Sequence, residues 1–356
     1  MGRRARRGQV TMRVLQLISR DEVGGVRVLA DMIGDGLRAE GFAVDTLALI
    51  GGAGAGRIAH LARVLGRIAT GRYDAILAYH AAASVTAGVV GSLVGVPQRL
   101  SHLTAIPGAI RPHWRLADRL LGTIGGYTAI IANSTPTAEA FAAYPAAYCA
   151  TLRLIPHGVA PLPSSASVDW RTRLGIPASH PLLVASGRLA AQKDFATAIR
   201  ALPLLPETHL AIAGDGEQRA RLLALAADLS VTNRLHLVGS LPRTELGGFL
   251  AAGDCYLFPS VWETFGLAGV EAQMLGLPIV ASNLPVIAEV LAAAGLVRTH
   301  PVGDPTALAA AVRDTLATPA DAATCAATAQ AAMARHSVTK MIQSYLTLLA
   351  PAQKTR

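Results

Sequence analysis

Cysteine is nearly absent from the sequence. Cys149, Cys255 and Cys325 are odd in number and share no close spacing, which argues against a disulfide framework and a thiolate zinc site. Aromatic side chains make up only 4% of the 356 residues, although 52% are hydrophobic. The apolar content is mostly Ala, Leu, Val and Ile, as buried parallel strands covered by helices require. No apolar segment follows the arginines of MGRRARRGQVTM, so the opening does not read as a secretory signal. The longest uncharged stretch, AAASVTAGVVGSLVGVPQ at 81–98, has about the length of a membrane span, but its residues are small and it ends in Pro-Gln. It reads as a buried helix, and a cytoplasmic location fits best.

The fingerprint G-x-G-x-x-G is also missing. Gly24 and Gly25 in ISRDEVGGVRVL and the run GGAGAG at 51–56 both fail its spacing, which makes a nicotinamide oxidoreductase a poor candidate. No acidic metal-binding pair stands out, so no metal is expected. Net charge is +9, of which Arg3, Arg4, Arg6, Arg7 and Arg13 precede the first apolar strand, leaving +4 for residues 14–356. Three readings of this tail stay open: contact with anionic lipid or nucleic acid, a plain solvated terminus, or translation starting at Met12.

Short β-branched runs alternate with helical patterns from end to end, the βαβ signature of an α/β chain. Strands are expected at 13–18, 43–49, 74–79, 98–103, 127–133 and 152–156, then at 182–186, 208–213, 235–238, 255–259, 278–282 and 295–298. PLPSSAS at 161–167 interrupts the alternation and reads as a linker. No short-period repeat marks a solenoid. The expected architecture is two Rossmann-like domains with parallel sheets facing across a cleft, at 1–160 (with 1–11 as a basic tail) and 161–335. Residues 336–356 are expected to form a C-terminal helix returning to the first domain. Ligands of such sheets sit beyond the carboxyl ends of the strands.

The loop and helix after strand 255–259, PSVWETFGLAGVEAQMLGLPIVAS, carry Glu263 and Glu271 on either side of Gly266. Gly266 can open a helix whose free N–H groups suit an anion, with the two carboxylates placed to accept hydrogen bonds from hydroxyls. The alternative is that Glu271 complements the helix dipole while Glu263 is solvated. Arg188 and Lys193, in VASGRLAAQKDF after strand 182–186, are two cations able to neutralise a pyrophosphate. Taken singly, each reads more readily as a solvated surface charge, and the pairing with the glutamate loop is what favours the functional reading. His102 in RLSHLTAIPG follows another strand and is expected to look into the cleft, although a lone histidine is commonly structural. His157 and Gly158 in LIPHGV read as the crossover and hinge between domains.

Together these stretches resemble the retaining glycosyltransferases of family four, which have the GT-B fold. The resemblance runs through GGVRVLADMIGDGLRAEGFAV, IIANSTPTAEAF, LIPHGV, ASGRLAAQKDF, IAGDGEQRARL, LHLVGSLPRTEL and the E-x7-E motif formed by Glu263 and Glu271. It implies a nucleotide-diphosphate sugar as donor substrate with no further cofactor, and a saccharide or lipid-linked acceptor in glycan or polysaccharide biosynthesis. Arg188 and Lys193 match the pair that holds the diphosphate, and Glu271 matches the residue that binds the ribose. Glu263 matches the carboxylate facing the transferred sugar, supported by backbone N–H groups near Gly266 and Leu267. Gly24 and Gly25 match the loop beneath the phosphates, and His102 matches a histidine near the sugar, giving Glu263 and His102 the catalytic roles.

The resemblance further implies a metal-independent hexosyl transfer with no nucleic-acid partner. Asp194 stands where the family often has glycine, and SNLPVIAEV replaces a common glycine-rich turn, so sugar and base preferences do not carry over. The rival readings are an inverting transferase or epimerase of the same fold, and a non-catalytic binding module on an anionic surface. Arg111, Arg115 and Arg119, with Trp114, Leu116, Leu120 and Leu121, form a basic amphipathic segment. It reads either as peripheral contact with the inner face of a membrane or as an ordinary sheet-covering helix with a solvated basic edge.

Overall fold

The computed structural model of the chain describes residues 12–20, 24–51, 56–163, 168–291 and 296–350. The arginine tail before Met12, most of GGAGAG and the end of PLPSSAS lie outside these residues. The chain divides into two compact units, one of Met1–Pro156 with Val338–Arg356 and one of His157–Ser337.

The first unit is built on a parallel sheet of β1 (Arg13–Arg20), β2 (Ala43–Ile50), β3 (Ala75–Tyr79), β4 (Gln98–His102), β5 (Ala129–Ala132) and β6 (Leu152–Leu154), in the order β2-β1-β3-β4-β5-β6. Successive side chains of a strand point to opposite faces, and both faces are covered here. Val14 and Ile18 pack with Leu29, Ile33 and Leu37 of the helix Gly25–Ala39. Leu15 and Leu17 pack with Val64, Ile68 and Ala83 from the helices Gly56–Thr70 and Ala81–Leu93. Gln16 lies between these apolar neighbours with no exposure, and its amide donates to Ala30 O at 2.8 Å and Tyr79 Oη at 3.0 Å. The uncharged stretch 81–98 therefore supplies the start of β4 and one helix that is buried on one side only, through Ala83, Ala87 and Gly91, while Val89 and Leu93 are exposed. No helix among the described residues is long and apolar enough to cross a membrane.

The helix Val338–Leu349 buries Met341, Ile342, Tyr345 and Leu349 in the first unit, beside the helix Gly25–Ala39. Their spacing places one apolar stripe on the inner side of the helix.

The second unit has a parallel sheet of β7 (Leu182–Ser186), β8 (His209–Ala213), β9 (Leu235–Gly239), β10 (Cys255–Phe258), β11 (Ile279–Ser282) and β12 (Val297–His300), ordered β12-β11-β10-β7-β8-β9. Leu183, Leu210 and Leu257 face Phe195, Leu222 and Val312. Val184, Tyr256 and Ile279 face Phe249, Val270 and Ala332. The sheet grows outward from β7 through β8 and β9, then restarts with β10 on the other side of β7. That reversal leaves the loops after β7 and β10 side by side, where such sheets bind ligands.

Tyr345 is fully buried, so Tyr345→Ala should cost about 3–5 kcal/mol, as for other large rings removed from cores. Hydrogen exchange should accelerate in β1, β3 and β4 and stay unchanged in β7, β8 and β10. Equal acceleration in both sheets contradicts the assignment of this helix to the first unit.

Candidate functional site

The loops after β7 and β10 are joined backbone to backbone. Val261 donates its N–H to Gln192 O at 2.8 Å, and the Gln192 amide donates to Trp262 O at 3.0 Å. Lys193 Nζ then donates to Glu263 Oε1 at 2.5 Å, and Ser260 Oγ donates to the same oxygen at 2.9 Å. The Lys193 and Glu263 side chains are only 16% and 8% exposed. Lys193 also lies over the Phe258 ring at 5.3 Å. Arg188, in the same loop, is exposed and forms no side-chain ion pair among the described residues.

The β7 loop is held from below by the loop after β8. Leu189 donates its N–H to Asp215 O at 2.9 Å, and a Cβ placed on Gly214 would lie 1.9 Å from Gly187 O. Only glycine permits that approach. Asp194 has φ 45, a left-handed conformation that Asp tolerates better than most residues, and its Oδ2 accepts from Thr197 Oγ1 at 2.7 Å. The aspartate at this expected glycine position therefore opens the helix Phe195–Ala201 and keeps Lys193 at its start.

After Glu263 the chain enters the helix Leu267–Met274 through Gly266, which has φ 90. A Cβ on Gly266 would also lie 2.9 Å from the Phe258 ring. The first-turn N–H groups at Leu267 and Ala268 have no acceptor within the helix. Glu271, one turn on, is 8% exposed. Its Oε1 accepts from Arg243 Nη1 at 2.5 Å, while Arg243 Nη2 donates to Ala160 O at 2.9 Å. Burial pushes the Glu271 carboxyl above the ordinary range, and the Arg243 charge and hydrogen bond pull it back. The second unit thus brings Arg188, Lys193, Glu263, Gly266, Leu267 and Glu271 to one end of its sheet. Arg243 and Ser260 escape a reading of the sequence. Arg243 lies 28 positions before Glu271, and its one local signal is a cation at the first residue of the helix Arg243–Ala251, where the dipole favours an anion.

In the first unit, Gly24 precedes the helix Gly25–Ala39 in extended backbone, and a Cβ there would meet nothing within 4 Å. Both glycines are exposed at the carboxyl end of the first sheet. His102 is placed differently from the expectation of a side chain open to ligand. It is 3% exposed, its Nδ1 lies 3.1 Å from Ala78 O, and its Nε2 lies 2.9 Å from Tyr345 Oη. Tyr79 stacks on its ring at 4.3 Å. Both ring nitrogens are engaged inside the first unit, because the helix Val338–Leu349 covers the end of β4.

Residues 168–332 match the family described as glycosyl transferases group 1. Glycogen synthase of Mycobacterium tuberculosis is 39% identical over 140 residues, 38% of this chain and 34% of that protein. The lipopolysaccharide core biosynthesis glycosyltransferase LpsE of Rhizobium meliloti is 36% identical over 113 residues, 32% of this chain and 33% of that protein. The chain spans about a third of the length of these curated relatives. Among solved structures, Anabaena HepE in complex with UDP and glucose superposes with a TM-score of 0.80 at 22% identity, over 96% of this chain and 100% of that one. Sucrose-phosphate synthase of Thermosynechococcus elongatus superposes with a TM-score of 0.78 at 21% identity, over 95% of this chain and 99% of that one. The α/β fold with two six-stranded parallel sheets is that of GT-B glycosyltransferase structures.

The buried setting of His102 has a pH signature. Burial pushes its pKa down from 6.5 to about 4, so between these values the unfolded chain binds a proton that the folded unit refuses. The stability tied to neutral His102 is complete above pH 6.5 and falls as pH drops toward 4, by about 3 kcal/mol in all. His102→Phe keeps a ring but cannot titrate. Urea unfolding between pH 7.5 and 4.5 should show a shallower loss of stability in the variant than in the wild type. Parallel slopes in the two proteins contradict the buried neutral histidine.

Proposed function

We propose that the chain is a retaining, metal-independent glycosyltransferase that moves a hexose from a nucleoside-diphosphate sugar to a saccharide or lipid-linked acceptor in glycan biosynthesis. The observation that carries this reading is the meeting of the Arg188–Lys193 loop with the Glu263 loop at the strand-order reversal, beside the N-terminus of the helix Leu267–Met274. A diphosphate bound there meets two cations and unbonded helix N–H groups. Glu271 accepts hydrogen bonds from the ribose and Glu263 faces the transferred sugar. The matched family and the nucleotide named in the HepE structure support this donor class.

On this reading the bond from the anomeric carbon to the diphosphate oxygen breaks with its electron pair going to the diphosphate. The acceptor oxygen bonds to the same face of the sugar, and its proton passes to the departing phosphate. Arg188 and Lys193 stabilise the developing negative charge, the task a divalent cation performs in other transferases. His102 enters only as a positioning residue holding the end of β4 against Tyr345.

The acceptor side is supported by an inverted amphipathic helix. Pro112–Thr123 buries its one aspartate, Asp118, against Tyr127 and Tyr148, yet leaves Leu116 and Leu120 exposed by 59% and 55%. Arg111, Arg115 and Arg119 flank these leucines, and Ile124 follows at 76% exposure. A surface of arginines and leucines with its carboxylate turned inward suits an anionic bilayer, so we place the protein at the cytoplasmic membrane face with a lipid-linked acceptor. The role in the name of LpsE supports such an acceptor.

Glu271→Ala should weaken donor binding, Glu263→Gln should mainly lower kcat, and Arg188→Ala or Lys193→Ala should lower transfer steeply, with about 1.5–3 kcal/mol lost per charge-assisted contact. Transfer should persist in excess chelator. Sugar release from a panel of nucleotide sugars checks this, and its absence for every donor, or restoration of a chelated enzyme by magnesium or manganese, overturns the corresponding part. Separately, protein beginning at Met12 should sediment with anionic vesicles at low salt. Arg111→Gln, Arg115→Gln and Arg119→Gln combined should release it, since each arginine near the surface contributes about 1 kcal/mol. Unchanged sedimentation of the triple variant favours a soluble acceptor.

A further inference from the structure

We propose that Arg243 is a positioning residue for nucleotide recognition. It occupies one oxygen of Glu271, aims the carboxylate's remaining capacity at the two ribose hydroxyls, and ties this carboxylate to the segment that enters the second unit. The inference rests on the reading of Glu271 as the ribose acceptor, but none of its geometry depends on that reading.

Three observations carry it. Arg243 reaches Glu271 Oε1 and Ala160 O with its two terminal nitrogens, so one planar group fixes a side chain and a backbone carbonyl together. Glu271 Oε2 has no hydrogen-bond partner among the described residues, although the residue is 8% exposed. A carboxylate offers about four acceptor positions, and a vicinal diol needs two donors met side by side. With Arg243 on Oε1, Oε2 is left as the principal acceptor.

The third observation is that the anchor at Ala160 is itself held. A Cβ on Gly247, one turn along the helix Arg243–Ala251, would lie 2.1 Å from Pro163 O, so the helix lies directly against the segment 160–163. Leu162 in that segment is buried at 6% exposure. Arg243 also stands at the first helical position after Pro242, where the helix dipole disfavours a cation. A residue that opposes its local preference is retained by its tertiary partners, and such conflicts concentrate at functional sites.

The test compares ribose discrimination with phosphate discrimination. Uridine and guanosine diphosphates, their 2′,3′-dideoxy forms and the matching monophosphates are titrated calorimetrically into the wild type, Arg243→Gln and Arg243→Lys. The wild type should prefer ribose over dideoxyribose by about tenfold or more, and Arg243→Gln should lose most of that preference. Arg243→Lys should recover part of it, while the preference for diphosphate over monophosphate stays as in the wild type in both variants. Without its cation the buried Glu271 is harder to ionise, so ribose preference in Arg243→Gln should return as pH rises from 6 to 9, with no such trend in the wild type. An unchanged ribose preference in Arg243→Gln overturns the proposal and leaves the donor site intact. Failure of every nucleotide to bind the wild type overturns the donor site itself, and this inference with it.

Discussion

The reversal of strand order at β7 is the constraint on which the candidate site depends. β8 and β9 are added on one side of β7 and β10 on the other, so the loops leaving β7 and β10 diverge and no connecting chain fills the space between them. Something must hold those loops at a fixed distance. Here it is the Val261–Gln192 backbone bond, the Gln192 amide on Trp262 O, and the Lys193–Glu263 ion pair. Gly214 then lets the β8 loop touch the β7 loop at backbone contact.

Both carboxylates of the site are buried and both are paired, which follows from desolvation. A nearly buried Glu263 or Glu271 without a cation leaves an uncompensated charge, and breaking such a pair costs about 3–5 kcal/mol. The two pairs differ in consequence. Lys193 and Glu263 belong to neighbouring loops, so their pairing locks the loops together. Arg243 and Glu271 belong to two helices, and the same arginine reaches the segment at Ala160.

Much of this was legible in the sequence. All twelve described strands lie where short β-branched runs predict them, with ends shifted by a few residues, as in β12 at Val297–His300 against an expected 295–298. Parallel strands buried on both faces read as uninterrupted apolar runs, so the sheets are written plainly. The helix start at Gly266 was legible too, because a left-handed glycine before an apolar run is a local signal. Arg243 was not, since a side-chain pair between helices leaves no periodicity. His102 was misplaced because its burial depends on Tyr345, which is 243 positions away in the sequence.

The charge balance of the second unit bears on what its site can accept. Glu263 neutralises Lys193 and Glu271 neutralises Arg243, which leaves the exposed Arg188 and the N-terminus of Leu267–Met274 as the positive groups of the site that no carboxylate there offsets. A site with three bare cations would bind any polyanion, and one with none would bind no phosphate. On the proposed reading, a diphosphate first meets Arg188 and the helix amides, and gains Lys193 only by sharing it with Glu263. That sharing brings the phosphate and the carboxylate to the same ammonium group, so the sugar attached to the phosphate is delivered beside Glu263. On that reading the carboxylate does two things with one position: it holds Lys193, which lies over Phe258, and it borders the anomeric centre of the donor.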